Sequence, residues 1–162
     1  MDGKTLADGI TNKLDELIRL CEDIDEQTAS KAPVGRWSPK EIVSHLLGAP
    51  TRGMLPAFRR FIEEETPRLD VEPANPHYTA ERSATSFFQL LSQLRKEYTD
   101  IAEFTAALSE GQLSRKAHVP AFKESPFGEY MTLETFISIL GDSHLKSHTD
   151  HMQEILDLLR KT

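Results

Sequence analysis

Apolar residues recur at intervals of three and four positions in four segments of the chain, which is the spacing of a helix with one buried face. The first segment extends from about residue 4 to 28, and its apolar stripe consists of Leu6, Ile10, Leu14, Leu17, Ile18, Cys21 and Ile24. The stretch TASKAPVGR then interrupts the pattern with Pro33 and Gly35. We therefore predict an amphipathic helix followed by an irregular connection.

A strong start signal for the second helix lies in the stretch WSPKE. Ser38 is a suitable N-cap, Pro39 suits the first helical position, and Glu41 completes a capping box three residues after the serine. The apolar face then continues through Ile42, Leu46, Leu47, Met54, Leu55, Phe58, Phe61 and Ile62. Pro50 and Pro56 lie inside this run, so we expect the helix to kink or to split into two pieces.

Two more helices complete the pattern. The third covers about residues 83 to 108, after a loop, TPRLDVEPANPHYTAERS, that is long for a compact domain. The last helix begins after Thr132, a plausible N-cap, and extends to about Arg160. No segment indicates a convincing strand, although AHVPAF could add a short extended piece. We predict an all-α fold, a four-helix bundle with long crossover loops that forms one domain over residues 1–162.

Composition and charge narrow the class of protein. The chain has 162 residues, with 26 acidic residues against 19 Lys and Arg, and a formal net charge of -7. An acidic surface repels phosphate backbones, so we expect no nucleic-acid partner. No apolar run approaches the roughly 20 residues that span a bilayer. The beginning of the chain does not resemble a signal peptide, and its single cysteine suits a reducing compartment, so a cytoplasmic location is predicted.

Three of the six histidines fall within eight positions of the last helix, in the stretch GDSHLKSHTDHMQEIL. At about 100° per residue, His148 lies about 40° to one side of His144, and His151 about 20° to the other. All three are therefore expected to point inward with the apolar residues Phe136, Leu140, Ile155, Leu158 and Leu159, and with Ser147. His144 and His148 are one turn apart, so both rings can reach one metal ion, whereas His151 lies too far along the helix to share it easily.

A third imidazole is available from the second helix. His45 falls on its buried side, among Ile42, Val43, Leu46 and Ala49. Three histidines from two helices would leave a fourth position open for water, which is typical of catalytic rather than structural zinc. A metal-free bundle, in which hydrogen bonds satisfy the buried histidines, is the alternative that spacing leaves open.

The stretches RWSPKEIVSHLLGA and HLKSHTDHMQEI together resemble the DinB-like superfamily of metal-binding four-helix bundles, and His151 is similar to the extra histidine of its YfiT type. The resemblance extends over the layout of nearly the whole chain. It implies that His45, His144 and His148 are the metal ligands. His151 is then a candidate base beside them.

The resemblance also implies a range of activities. Some relatives are thiol S-transferases that use a low-molecular-weight thiol, and others are maleylpyruvate isomerases or metal-dependent hydrolases. A small-molecule substrate is therefore expected, with zinc or nickel as the first choice of metal and iron, cobalt or manganese as further choices. A homodimer is common among such relatives. The alternative function is a non-enzymatic, stress-related binding module in which the metal is structural.

Other polar residues have simpler explanations. Trp37 is expected to pack at the start of the second helix, and Glu41 to cap it. Cys21 lies on a buried stripe, where a cysteine is usually inert. Surface positions are expected for His77 and His118 and for the charged residues Arg52, Arg59, Arg60, Asp142 and Asp150. Phe127 and Tyr130 precede the last helix and could shape the mouth of a pocket.

Overall fold

The computed structural model describes residues 1–161 and consists mainly of helices. The helices are α1 (Gly3–Cys21), α2 (Glu26–Ala29), α3 (Pro39–Leu47), α4 (Leu55–Glu63), α5 (Ala80–Ala84), α6 (Phe87–Ala106), α7 (Glu110–Leu113), α8 (Leu133–Ser138) and α9 (Lys146–Arg160). A π-helical segment (Ile139–Leu145) joins α8 to α9 without a break, and the three together are called the final helix below. α1 packs along α6 and the final helix, while α3 contacts both α6 and α9. The all-α bundle predicted from the sequence is confirmed.

The second predicted helix is split, as its prolines indicated. α3 ends at Leu47, its C-cap Gly48 has a φ of 74°, and α4 begins only at Leu55. The break is stabilised by Glu97 of α6, whose Oε1 accepts hydrogen bonds from the backbone N–H groups of Met54 and Leu55 at 2.6 and 3.2 Å. A carboxylate there satisfies N–H groups that have no partner within α4 and complements the positive end of its dipole.

Two predicted boundaries were wrong because a local cap follows the early end of the first helix and another delays the start of the third. α1 ends at Cys21, and Asp25 then caps the separate short helix α2 through the backbone N–H of Thr28. The third predicted helix begins at Phe87, where Ser86 forms a capping box with Gln89, and α5 is a distinct turn before it.

The short extended piece that AHVPAF could add is present, but the strand that pairs with it was not expected. β1 (Lys116–His118) pairs with β2 (Tyr130–Thr132) in a short antiparallel ladder, and a 3₁₀ turn (Pro120–Phe122) follows β1. β1 ends before Pro120, which lacks the N–H that a longer ladder would need. Within residues 1–161 no helix is both long and apolar enough to cross a membrane.

The final helix does not keep one rotational phase along its length. Its buried positions begin with Leu133 and Ile137, and a period of 3.6 residues from Leu133 would return to the core at His144 and His151. The structure instead buries Leu145 and Met152, one position later in each case. The wider π-helical turns between the two halves introduce this shift of about 100°.

The phase shift corrects the predicted helical wheel. Ser147, which was expected to face inward, is exposed, and the apolar core of α9 is formed by Met152, Ile155 and Leu156. His144, His148 and His151 are only partly exposed, but they lie along the edge of this buried face and not at its centre. The sequence alone predicts a regular helix here because the π-helical segment has no strong signature.

A buried ammonium group connects the start of the bundle to α6. The Lys40 side chain is 1% exposed, and its Nζ donates to Glu26 Oε1 and to the carbonyl of Ser83, both at 2.8 Å. The second carboxylate oxygen of Glu26 accepts the backbone N–H of Phe87 at 2.6 Å. One carboxylate thereby holds α2, α3 and the N-terminus of α6 together, and the bond from Lys40 is the first cause of the lowered pKa of Glu26.

We predict that Glu26→Ala lowers the free energy of unfolding by about 2 kcal/mol, because it leaves the Lys40 charge buried without its partner. Lys40→Met should be less harmful, since an apolar group of similar length needs no partner in the core. Urea denaturation measures both. Asp8→Ala is the control, because it breaks the exposed Lys4–Asp8 pair and should change stability by less than about 0.5 kcal/mol. Equal losses in all three variants would contradict this account.

Candidate metal centre

Three histidines from two helices meet at the edge of the bundle. His45 lies in the last turn of α3, His144 near the end of the π-helical segment, and His148 in the first turn of α9. One ring nitrogen from each can be chosen so that all three lie within 4.8 Å of one another. The structure therefore brings together the three side chains that the sequence singled out as ligands.

The three rings are in mutual contact. The His45 and His144 Nε2 atoms are 3.0 Å apart. The ring centroids are 4.7 Å apart for His45 and His148, and 4.8 Å apart for His144 and His148. Three imidazoles fill an apolar core no better than Leu or Ile would. Their buried ring nitrogens therefore need hydrogen bonds or a shared partner.

The tautomer of His45 is determined by a backbone carbonyl. Its Nδ1 lies 2.7 Å from the carbonyl oxygen of Asn75, which can only accept, so Nδ1 carries the proton. The Nε2 atom of neutral His45 then presents a lone pair to the other two rings. The Nε2 atom of His144 lies 3.0 Å from it, and ligation through His144 Nε2 would require the His144 proton on Nδ1.

Burial keeps the imidazoles neutral. It lowers the pKa of His144 to about 4 and that of His148 to about 3, with further lowering from the neighbouring histidines. The pKa of His45 is also lowered, mainly by burial, although its bond to Asn75 opposes the shift. Neutral rings carry the lone pairs that a divalent ion needs, and the absence of a carboxylate in this triad leaves the ion its full charge.

The donor set fits a divalent ion. Imidazole nitrogens bind Zn²⁺ at about 2.1 Å, so two ligand nitrogens of a tetrahedral site lie about 3.4 Å apart, and the triad, whose nitrogens lie within 4.8 Å of one another, needs to contract by up to about 1.4 Å. Rotations of the histidine side chains would have to supply this contraction. Zinc, nickel, cobalt, copper and iron all accept three imidazoles, so the donor set does not distinguish among them.

Trp37 covers the histidines on one side. Its ring lies 5.1 Å from the ring of His45, 5.9 Å from that of His151, and 6.3 Å from that of His148, to which it is nearly parallel at 7°. The expectation that Trp37 packs at the start of α3 is met, but the surface it packs on is the candidate site itself. It is also the single tryptophan of the chain.

His151 lies beside the triad and not within it. Its Nδ1 is 3.4 Å from the Nδ1 of His148, and its side chain is only partly buried. Burial and the charge of Arg36 lower its pKa, while Glu154 acts in the opposite direction. Arg36 and Glu154 form an ion pair of 3.0 Å at this edge.

Several other candidates from the sequence have structural roles. Glu41 accepts the backbone N–H of Ser38, which confirms the capping box. Cys21 is buried, and burial raises the pKa of its thiol to about 12, which makes it unreactive. His118 stacks on Tyr130 with centroids 4.5 Å apart and lies 3.1 Å from a carboxylate oxygen of Glu129, away from the triad.

The charged surface residues also have local partners. Arg59 lies over the ring of Phe104 at 5.7 Å, Arg60 pairs with Glu64, and Asp142 and Asp150 accept bonds from Ser138 and Lys146. Arg52 is exposed. A cavity of about 400 Å³ lies on the outer side of the π-helical segment, and its lining includes Phe127 but none of the triad. Phe127 therefore borders a pocket, as the sequence suggested, but this pocket is separate from the three histidines.

Sequence reasoning missed the carbonyl of Asn75. Every residue has a carbonyl, so no residue type marks the one that will face a ligand. The long loop between α4 and α5 was recognised as unusual, and its length was the one signal that it could reach the site. His77, expected at the surface, is partly buried in this loop.

The fold and the cluster define an all-α bundle with a three-imidazole centre, and the comparisons agree. The model of the DinB superfamily matches residues 10–152, so the chain belongs to the DinB superfamily. A solved structure of YfiT from Bacillus subtilis, described as a probable metal-dependent hydrolase with an unusual four-helix bundle topology, superposes with a TM-score of 0.75. That likeness covers 94% of this chain and 85% of the other at 18% identity. No curated protein sequence matches the chain.

We predict that the metal-free protein loses stability as the pH falls from about 6.5 towards 4. The pKa values of His144 and His148 are lower in the folded state, so the unfolded chain binds more protons in this window and becomes favoured. Melting temperatures after dialysis against EDTA measure the effect. His148→Gln should show a shallower decline than the wild type. Parallel curves for the two proteins would contradict the prediction.

Proposed function

We propose that the protein binds one divalent metal ion through His45, His144 and His148 and uses it to activate water, or a small thiol, for reaction with a small-molecule substrate. The observation that carries this proposal is the convergence of three neutral imidazoles with no fourth protein ligand in their group. Three protein ligands leave at least one position for a reacting molecule. A bound divalent ion supplies Lewis-acid chemistry that lowers the pKa of the molecule in that position.

His151 is the proposed proton acceptor. It is half-buried next to His148, and its lowered pKa keeps a lone pair available at neutral pH. It has no place in the triad, so its replacement should leave the ligands intact. Trp37 shields the opposite side of the rings and restricts the direction from which a substrate approaches.

The description of YfiT as a probable metal-dependent hydrolase supports water as the activated molecule. Thiol S-transfer is the second candidate, favoured by the absence of any anionic ligand in the triad, because an ion that keeps its full charge binds a thiolate strongly. In the non-enzymatic alternative, the ion links α3 to the final helix and has no catalytic role. The experiments below separate these three possibilities.

Binding can be followed through the fluorescence of Trp37. Its ring lies 5.1 Å from that of His45, and a redox-active ion such as Cu²⁺ bound there quenches the indole. We expect the fluorescence of metal-free protein to fall and to saturate at one equivalent of Cu²⁺. His144→Ala and His148→Ala should weaken binding by roughly 100-fold or more, because each removes a ligand. His118→Ala is the control and should bind as the wild type does. Equal quenching in all variants would show that the triad is not the site.

Cobalt-loaded protein distinguishes the chemistries. A thiol that binds the ion adds a sulfur-to-cobalt charge-transfer band, whereas a site reserved for water does not. We expect His151→Gln to leave the visible cobalt spectrum unchanged and to lower the rate of ester hydrolysis or thiol transfer by about 10²-fold. If no substrate reacts, and if His45→Ala lowers only the melting temperature, the metal has the structural role.

A further inference from the structure

The crossover loop between α4 and α5 ends in a turn that closes on itself. Within it, the Asn75 side chain donates to Glu72 Oε2 at 2.7 Å and accepts the backbone N–H of His77 at 2.8 Å. The backbone N–H of Asn75 also donates to the carbonyl of Glu72 at 3.1 Å. His77 has a φ of 50°, a conformation that L residues adopt only when their surroundings require it. These bonds orient the Asn75 carbonyl that faces His45.

Arg82 fastens this turn to the end of α3. Its Nη1 lies 2.6 Å from the carbonyl of Gly48, 3.0 Å from that of Ser44 and 3.2 Å from that of His77. The hydroxyl of Ser44, the residue before His45, also donates to the carbonyl of His77 at 3.0 Å. A cation is favoured here because the last carbonyls of α3 have no partners within the helix and carry the negative end of its dipole.

The arrangement has a chemical consequence for His45. A neutral imidazole has two tautomers, and only the one protonated at Nδ1 offers a lone pair at Nε2, where the other two histidines lie. The Asn75 carbonyl stabilises that tautomer. If the turn were free to move away, His45 could place its proton on Nε2, and a metal ion would first have to displace it.

We propose that Arg82 and the turn of residues 72–77 form a positioning device that selects the metal-binding tautomer of His45. The inference rests on the proposed function for its consequence, which is tighter metal binding. Its structural half, the choice of tautomer, concerns the metal-free protein and stands on the contacts alone. Arg82 acts through the loop and through Ser44 and does not belong to the triad.

Long-range ¹H–¹⁵N spectra of the histidine rings in metal-free protein test the proposal, because protonated and unprotonated ring nitrogens have distinct ¹⁵N shifts. In the wild type we expect His45 to be protonated at Nδ1. Arg82→Gln should give a mixture of tautomers and weaken zinc binding by roughly 10- to 100-fold, the usual effect of losing an outer partner of a ligand. Arg82→Lys should restore part of the Nδ1 tautomer and part of the zinc affinity, since it keeps the positive charge.

Arg60→Gln is the matched control. Arg60 binds the carbonyl of Arg68 near the other end of the same loop, so its loss loosens the loop without releasing the His45 end. The tautomer and the zinc affinity should then stay as in the wild type. If Arg82→Gln does not fold, Asn75→Ala provides the same test, because it keeps the carbonyl but removes the two side-chain bonds that orient it.

The possible results are separable. A wild-type His45 protonated at Nε2, or an unchanged tautomer in both Arg82→Gln and Asn75→Ala, would overturn the proposal. A mixed tautomer with unchanged zinc affinity would overturn its functional half. If zinc fails to bind the wild type while the spectra show the expected change, the proposed function fails and the selection of the tautomer stands.

Discussion

The rotational phase of the final helix is the constraint on which the candidate site depends. The π-helical segment moves the core contacts of the final helix onto Leu145 and Met152, so His144 and His151, one position earlier, lie beside the core. At the centre, the three rings would be sealed from solvent and unable to admit a substrate. At the edge, burial still keeps the rings neutral, while His144 and His148 remain partly exposed. π-helical turns often occur at functional sites, and here the geometric reason is visible.

The π-helical segment, where the phase changes, packs against α1. Gly141 lies within this segment, and a Cβ there would lie 3.4 Å from Ile10 of α1, an ordinary van der Waals contact. Glycine also weakens a regular helix by about 1 kcal/mol relative to alanine, so the alternative winding is least costly at this position. The same seven residues, Ile139–Leu145, therefore both pack against α1 and carry His144, which faces His45 of α3.

The sequence was sufficient to predict the bundle and to single out the three candidate ligands. Periodicity identified the helices, proline identified the break between α3 and α4, and the spacing of His144 and His148 placed them on one face. Their position on the edge of that face was not predictable, since a wheel of constant period cannot represent a π-helical turn. The early end of α1 and the start of α6 depend on caps, Asp25 and Ser86, that compete with an otherwise continuous apolar pattern.

The partners that organise the site were hidden from sequence reasoning for a different reason. His45, His144 and His148 are recognisable because their side chains carry the chemistry, but Asn75 acts through its backbone and Arg82 through contacts with backbone carbonyls. Such groups acquire a role only when a loop has been folded against a helix. Three inward histidines therefore indicate that a bundle can hold a metal ion, whereas the tautomer of His45 depends on the loop. This division explains why a long crossover is compatible with a precise site: the helices supply the histidines, and the loop carbonyl leaves Nε2 of His45 free to bind.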